Sequence, residues 1–220
     1  MSATSSELKR RIVDAIRRHP SPARRVVLLN TIWLVLAIVV VDVGLFYALG
    51  GPSRGTGSMA YLLFTEAGWA IIACVAVWIA FGRGRSMLGR PRRWLFAIAV
   101  VLPFALFGWM LLAATVFPPT LTAESRHGCT AMTLALAIWP TTLYALVRPE
   151  SVPLSPGMTG AARAAAIGAC VGVLTRWWCP GGKLIHLALS HALPLLVLSG
   201  FGWLLGQRLG RVYRRPSGQN

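Results

Sequence analysis

The chain has 220 residues, 55% of them hydrophobic and only 13% charged, too little polar surface to cover a soluble fold of that size. Composition therefore points to a protein integral to a membrane and excludes an ordinary soluble domain. The formal net charge of +16 does not call for nucleic acid as a direct partner, because the basic residues sit in short segments between long apolar runs, where they orient helices.

Residues 3–19 read as an amphipathic helix. Thr4 and Glu7 have capping-box spacing. Leu8, Ile12, Val13 and Ile16 recur at helical intervals, and Lys9, Arg10, Arg11, Arg17 and Arg18 fill the opposite face. His19-Pro20-Ser21-Pro22 ends it. Such a segment suits anionic lipid headgroups or a groove on a cytoplasmic protein. About 25 polar and basic residues precede an apolar run too long for a signal-peptide core, so no cleavage is expected.

Arg24-Arg25 leads into a first crossing over residues 26–49, and a Gly/Ser-rich turn separates it from a second over 59–81. A basic loop precedes the third, 94–117, where Pro103 predicts a kink. The fourth covers 129–147 and contains Pro140. The fifth, 160–178, carries Arg163 and Arg176 near its ends, where both are expected to snorkel to the interface. The sixth covers 184–205. Of the 22 Lys and Arg residues, only Arg54, Arg126, Arg176 and Lys183 fall on the side opposite the N-terminus. The positive-inside rule then places both termini in the cytoplasm. The expected architecture is all-α: a polytopic bundle of six transmembrane helices over 26–207, with a cytoplasmic helix and linker at 1–25 and a basic tail at 208–220.

The chain has four cysteines and no CxxC pair, HExxH, phosphate-cradling loop or defensible Ser/His/Asp set, so an enzyme reading has nothing to stand on. Cys74 and Cys170 fall inside spans as small packing residues. Cys129 and Cys179 fall at the outer ends of the fourth and fifth helices, beside His127 and His186. Plain filler, a reversible disulfide and a soft-metal site that also draws on His191 are the alternatives there. A two-histidine helical site is disfavoured, because His186 and His191 are five residues apart rather than three or four. Asp42 and Glu66 are the acidic residues well inside spans; the hairpin could set them face to face with no basic partner at their depth, for a proton-linked role, or each could be protonated and bonded to a neighbouring helix. Gly202, Gly206 and Gly210 repeat every four residues, as do Gly168 and Gly172. That spacing serves close helix packing, with homo-oligomerisation as the weaker reading.

Cys129 after a short outer loop, Cys179-Pro180 ahead of the last span, His186, His191, Pro194 and the ending GxxxGxxLGR from Gly202 to Arg211 together resemble the NrsF family. Its members are six-helix anti-sigma factors of the bacterial inner membrane that restrain extracytoplasmic-function sigma factors. The resemblance implies a regulator whose cytoplasmic face holds a sigma factor and whose outer cysteines, Cys129 and Cys179, sense metal ions or oxidants. It implies no resident cofactor; a metal ion would enter as the signal. The apolar stripe of Leu8, Ile12 and Ile16 with Arg24 and Arg25 is then the expected partner-binding surface. Trp178 stands where the family commonly has a histidine, and Gly181-Gly182-Lys183 follow where it has acidic residues; both departures favour thiol chemistry over metal capture. The alternative from another class is a small proton-linked transport or membrane thiol-redox protein built on Asp42, Glu66 and the outer thiols.

Overall fold

The computed structural model describes residues 7, 24–51, 59–81, 91–116, 128–147, 155–178, 186 and 188–214. The N-terminal stripe of Leu8, Ile12 and Ile16, together with His127 and Cys179, lies outside them. Among the described residues all regular structure is helical, in six helices. These are α1 (Arg24–Ala48), α2 (Met59–Phe81), α3 (Arg92–Val116, interrupted by a π-helical turn at Ala97–Val101), α4 (Cys129–Val147), α5 (Pro156–Trp178) and α6 (Leu193–Arg214), the last preceded by a π-helical turn at Ala188–Ala192. Five of the six, α2 to α6, are long and apolar enough to cross a membrane; in α1 the apolar stretch is Ile32–Ala48.

The chain divides into two compact units, Met1–Val41 and Asp42–Asn220. In the first, Arg24 and Arg25 open α1, and Ile32, Trp33, Val35, Leu36, Val39 and Val40 are exposed along it. In the second, α1 ends where Gly50 and Gly51 take φ of 115° and 61°. Their N–H groups reach back to the carbonyls of Tyr47 and Phe46, a left-handed stop that glycine adopts without a Cβ penalty.

Among the five spans, the one whose membrane-length window is least apolar proves to be the centre of the bundle. In α5, 61% of the spanning window is buried, against 39% or less in the other four spans. Its run AARAAAIGACVG supplies Ala162, Ala165, Ala166 and Ala169 to one core cluster with Trp69, Leu102, Leu106 and Leu195. It supplies Ala164 and Val171 to a second, with Phe46, Met132, Leu136 and Leu198. Lipid tails are as apolar as leucine, so spans associate through close packing, and small residues let neighbouring backbones approach. α5 starts at Pro156 rather than at residue 160. Proline is pre-organised for the first helical position, and the Ser155 carbonyl accepts both the N–H and the hydroxyl of Thr159. α6 runs on to Arg214 because nothing breaks it until Pro216.

Against α6, a Cβ on Gly160 or Gly202 would overlap the other residue's carbonyl, and one on Gly206 would overlap the Pro156 carbonyl. Gly210 faces the Pro156 ring, and Gly168 faces Leu195 and Leu198. Gly172 belongs to a different contact, with the Trp69 indole filling the space a Cβ would need. Cys74 and Cys170, expected as small packing residues inside spans, are exposed on α2 and α5.

Pro103 has no N–H to give the carbonyl of Ala99, four residues back. The Ser199 hydroxyl on α6 lies 2.9 Å from that carbonyl and 2.9 Å from its own Leu195 carbonyl. The N–H of Leu102 reaches back to Ala97, which forms the π turn. Ser199→Ala is expected to cost about 0.6 kcal/mol, with roughly 1.7 as the ceiling for such bonds. In a Pro103→Ala background the cost should shrink, because a restored helical N–H then satisfies Ala99. Unfolding titrations of the four proteins in mixed micelles measure the cycle.

Candidate functional site

At the end of the bundle where α4 begins, α2 and α5 bring an acid and a base together. Glu66 Oε1 and Arg176 Nε are 2.7 Å apart, with side chains 13% and 7% exposed. The expectation that Glu66 has no basic partner, and that Arg176 snorkels, is therefore overturned. Glu66 lies seven residues into α2, about 10 Å along it, while Arg176 is two residues from the end of α5, about 3 Å. Helical side chains lean toward their own N-terminus. On antiparallel helices Glu66 leans toward the bundle end and Arg176 away from it, so they converge.

The pair is largely enclosed. Arg176 Nη1 donates to the Met110 sulfur of α3, and its guanidinium carbon stands 5.6 Å from the ring centroid of Trp69. Trp69 is fully buried, donates to the Ala169 carbonyl at 2.7 Å, and meets His191 edge-on with centroids 6.1 Å apart. A charge in so dry a place is tolerated only with a hydrogen-bonded counter-charge. Arg163, the other arginine of α5, is half-buried near the opposite end of the bundle, its guanidinium 5.7 Å from the ring of Phe81, the last residue of α2, and 5.4 Å from the Tyr144 ring. Pairing of 66 with 176 and of 81 with 163 sets α2 antiparallel to α5.

His186 and His191 come together despite their spacing, with ring centroids 5.9 Å apart. His191 lies within the π turn Ala188–Ala192, which begins two residues after His186. Its backbone closes over five residues rather than four, so positions i and i+5 come onto one face. Both rings are buried, and the Ser190 hydroxyl lies 3.4 Å from His186 Nδ1. Thr130 of α4 donates to the Leu189 carbonyl and lies near the Ser190 hydroxyl. Among the described residues, no group of three or more His, Cys, Asp or Glu side chains is placed to hold a metal ion.

Cys129, the first residue of α4, is completely buried. One turn further along the same face, Thr133 donates to the Cys129 carbonyl and lies 3.2 Å from the Thr175 hydroxyl of α5. Tyr144 of α4 meets Arg163 of α5 toward the other end, so these two helices are also antiparallel. Four residues back from Thr133 is Cys129, and four on from Thr175 is a position just past Trp178. The register therefore brings Cys129 level with the end of α5.

Asp42 is 5% exposed and accepts a 2.8 Å hydrogen bond from the Trp139 indole of α4. The two intramembrane carboxylates thus go to different partners, Trp139 for Asp42 and Arg176 for Glu66, instead of facing one another. Sequence reading missed Arg176, Trp69, Met110 and Trp139 as their companions. The lean of side chains toward each helix N-terminus was the signal that could have paired 66 with 176; nothing local marked Trp139. In comparisons with known protein families, curated proteins and solved structures, nothing matches this chain.

Proposed function

We propose that the chain is a membrane-bound anti-sigma regulator of the bacterial inner membrane, with six crossings and both termini in the cytoplasm, as its resemblance to the NrsF family implies. In this reading the N-terminal apolar stripe of Leu8, Ile12 and Ile16, with Arg24 and Arg25, holds an extracytoplasmic-function sigma factor. Cys129 and Cys179 face the periplasmic side and respond to an oxidant or a metal ion. With an oxidant, the two thiols would join as a disulfide, giving up two protons and passing two electrons to it. A change of that kind would alter how α4, α5 and α6 pack and bias a bound and a released state.

The observation that supports this most is the register of Thr133 against Thr175, which sets Cys129 level with the end of α5, one residue short of Cys179 in sequence. A reading as a proton-linked transporter draws less support, since Asp42 and Glu66 are each engaged by a separate structural partner.

Co-purification tests the proposal. Full-length protein extracted in mild detergent should carry a sigma factor with it, and deletion of residues 1–22 should reduce that retention at least about tenfold, a loss of roughly 1.4 kcal/mol of binding. Transcription from the sigma factor's target promoters should rise in parallel. Full-length protein that retains no sigma factor, with target transcription indifferent to the deletion, overturns the proposal.

A further inference from the structure

The close contacts of α5 change character along its length. From Pro156 to Gly168 it is locked against α6 by glycine and alanine contacts that bring the backbones together. The glycine contacts end at Gly172, against Trp69. Beyond it, two polar contacts reach out on different sides. Thr175 meets Thr133 of α4, on the face that carries Cys129, and Arg176 meets Glu66 of α2. The next residue, Trp177, is already 57% exposed. The last turn of α5 therefore lies between a buried thiol on one neighbour and an ion pair on another.

We propose that the Glu66–Arg176 pair is a clamp that holds the last turn of α5 in the bundle and thereby keeps the Cys129 thiol shut away from reagents. The attraction between the two charges is strong because Trp69, Met110 and the surrounding helices exclude water. It is also localised, since Arg176 is the cation that Glu66 engages and the remainder of α5 is secured independently by small-residue packing. Loosening the pair frees the final turn without unlocking the Gly160–Gly202 end. Glu66 and Arg176 are positioning residues here: neither reacts, and both act on the accessibility of Cys129. The use of Cys129 as a signal rests on the proposed function, whereas the clamp itself can be measured without a sigma factor.

The experiment is the modification rate of Cys129 by N-ethylmaleimide in detergent-solubilised full-length protein after mild reduction, followed by mass spectrometry of the peptide that contains it. In wild type the rate should be at least about a hundredfold below that of the denatured chain, a difference of roughly 2.7 kcal/mol. Glu66→Gln should raise it at least about tenfold. So should the double variant Glu66→Gln with Arg176→Met, which buries no unbalanced charge and remains informative if the single variant does not fold. A cysteine introduced by Ala162→Cys, in the fully buried Gly160–Gly202 half of α5, reports on general loosening and should keep its protection. Unchanged Cys129 protection in a folded variant overturns the clamp, as does an equal rise at position 162 or a wild-type Cys129 as reactive as in the denatured chain. A missing sigma factor in the co-purification would overturn the signalling role alone and leave these rates as they stand.

Discussion

Glu66→Ala is expected to lower the unfolding free energy of the protein by about 3–5 kcal/mol, the usual cost of stripping one partner from a buried ion pair. The cost comes less from the lost attraction than from what is left behind. Arg176 is 7% exposed, and without Glu66 its charge is left against the Trp69 ring and the Met110 sulfur. Arg176→Ala should also be damaging, because the Glu66 carboxylate would then lose its counter-charge and keep the Trp177 indole as a hydrogen-bond donor. Replacing both, as Glu66→Leu with Arg176→Met, should recover most of the loss, since a well-packed apolar pair often equals a buried ionic one. Reversible unfolding of all four proteins in detergent and denaturant micelles gives the coupling energy directly. Single variants that lose less than about 1 kcal/mol would mean that the pair is screened as at a surface.

The second large effect is expected where α5 and α6 touch through their backbones. Gly160→Ala and Gly202→Ala each add one methyl group, and in both cases it would meet the opposing glycine's carbonyl. No rotamer change relieves contact with backbone, so the helices must separate, at a cost of about 1–3 kcal/mol, and Leu at either site should cost more. Gly108→Ala and Gly200→Ala are the matched controls: a Cβ at either position meets nothing within 4 Å. Both should be neutral or stabilising by up to about 1 kcal/mol, as helix propensity dictates. Equal effects at all four positions would show that conformational freedom rather than close approach governs these glycines.

Much of the site was legible as a set of residues but not as a set of contacts. Glu66 was recognisable as costly because a carboxylate inside a 23-residue apolar helix must be satisfied by something. Its partner was hidden because Arg176, placed near a helix end, fits the common habit of long basic side chains reaching for water. The direction in which each side chain leaves its own helix decided otherwise. His186 and His191, five apart, were disfavoured as a two-ligand helical site; the π turn that contains His191 goes with rings 5.9 Å apart, a proximity that regular α-helical spacing does not suggest. Cys74 and Cys170 read as small packing residues in the sequence, yet they are exposed on α2 and α5. Hydropathy does not say which side of an all-apolar helix meets protein and which meets lipid.

What the sequence determined by itself is the all-helical class, a set of spans of which five are long and apolar enough in the structure to cross a membrane, and boundaries within a few residues for α1 to α5, whereas α6 ends nine residues beyond the expected 205. These follow from local physics: in hydrocarbon each backbone group must be satisfied within its own segment, so a sufficiently long apolar run becomes a helix whatever surrounds it. Tertiary structure alone decided that α5 is the centre of the bundle, that Glu66 pairs with Arg176 and Asp42 with Trp139, and that Cys129 is buried level with the end of α5. Those outcomes depend on which faces meet and in what register, and both are set by the fit of small residues between helices far apart in the chain.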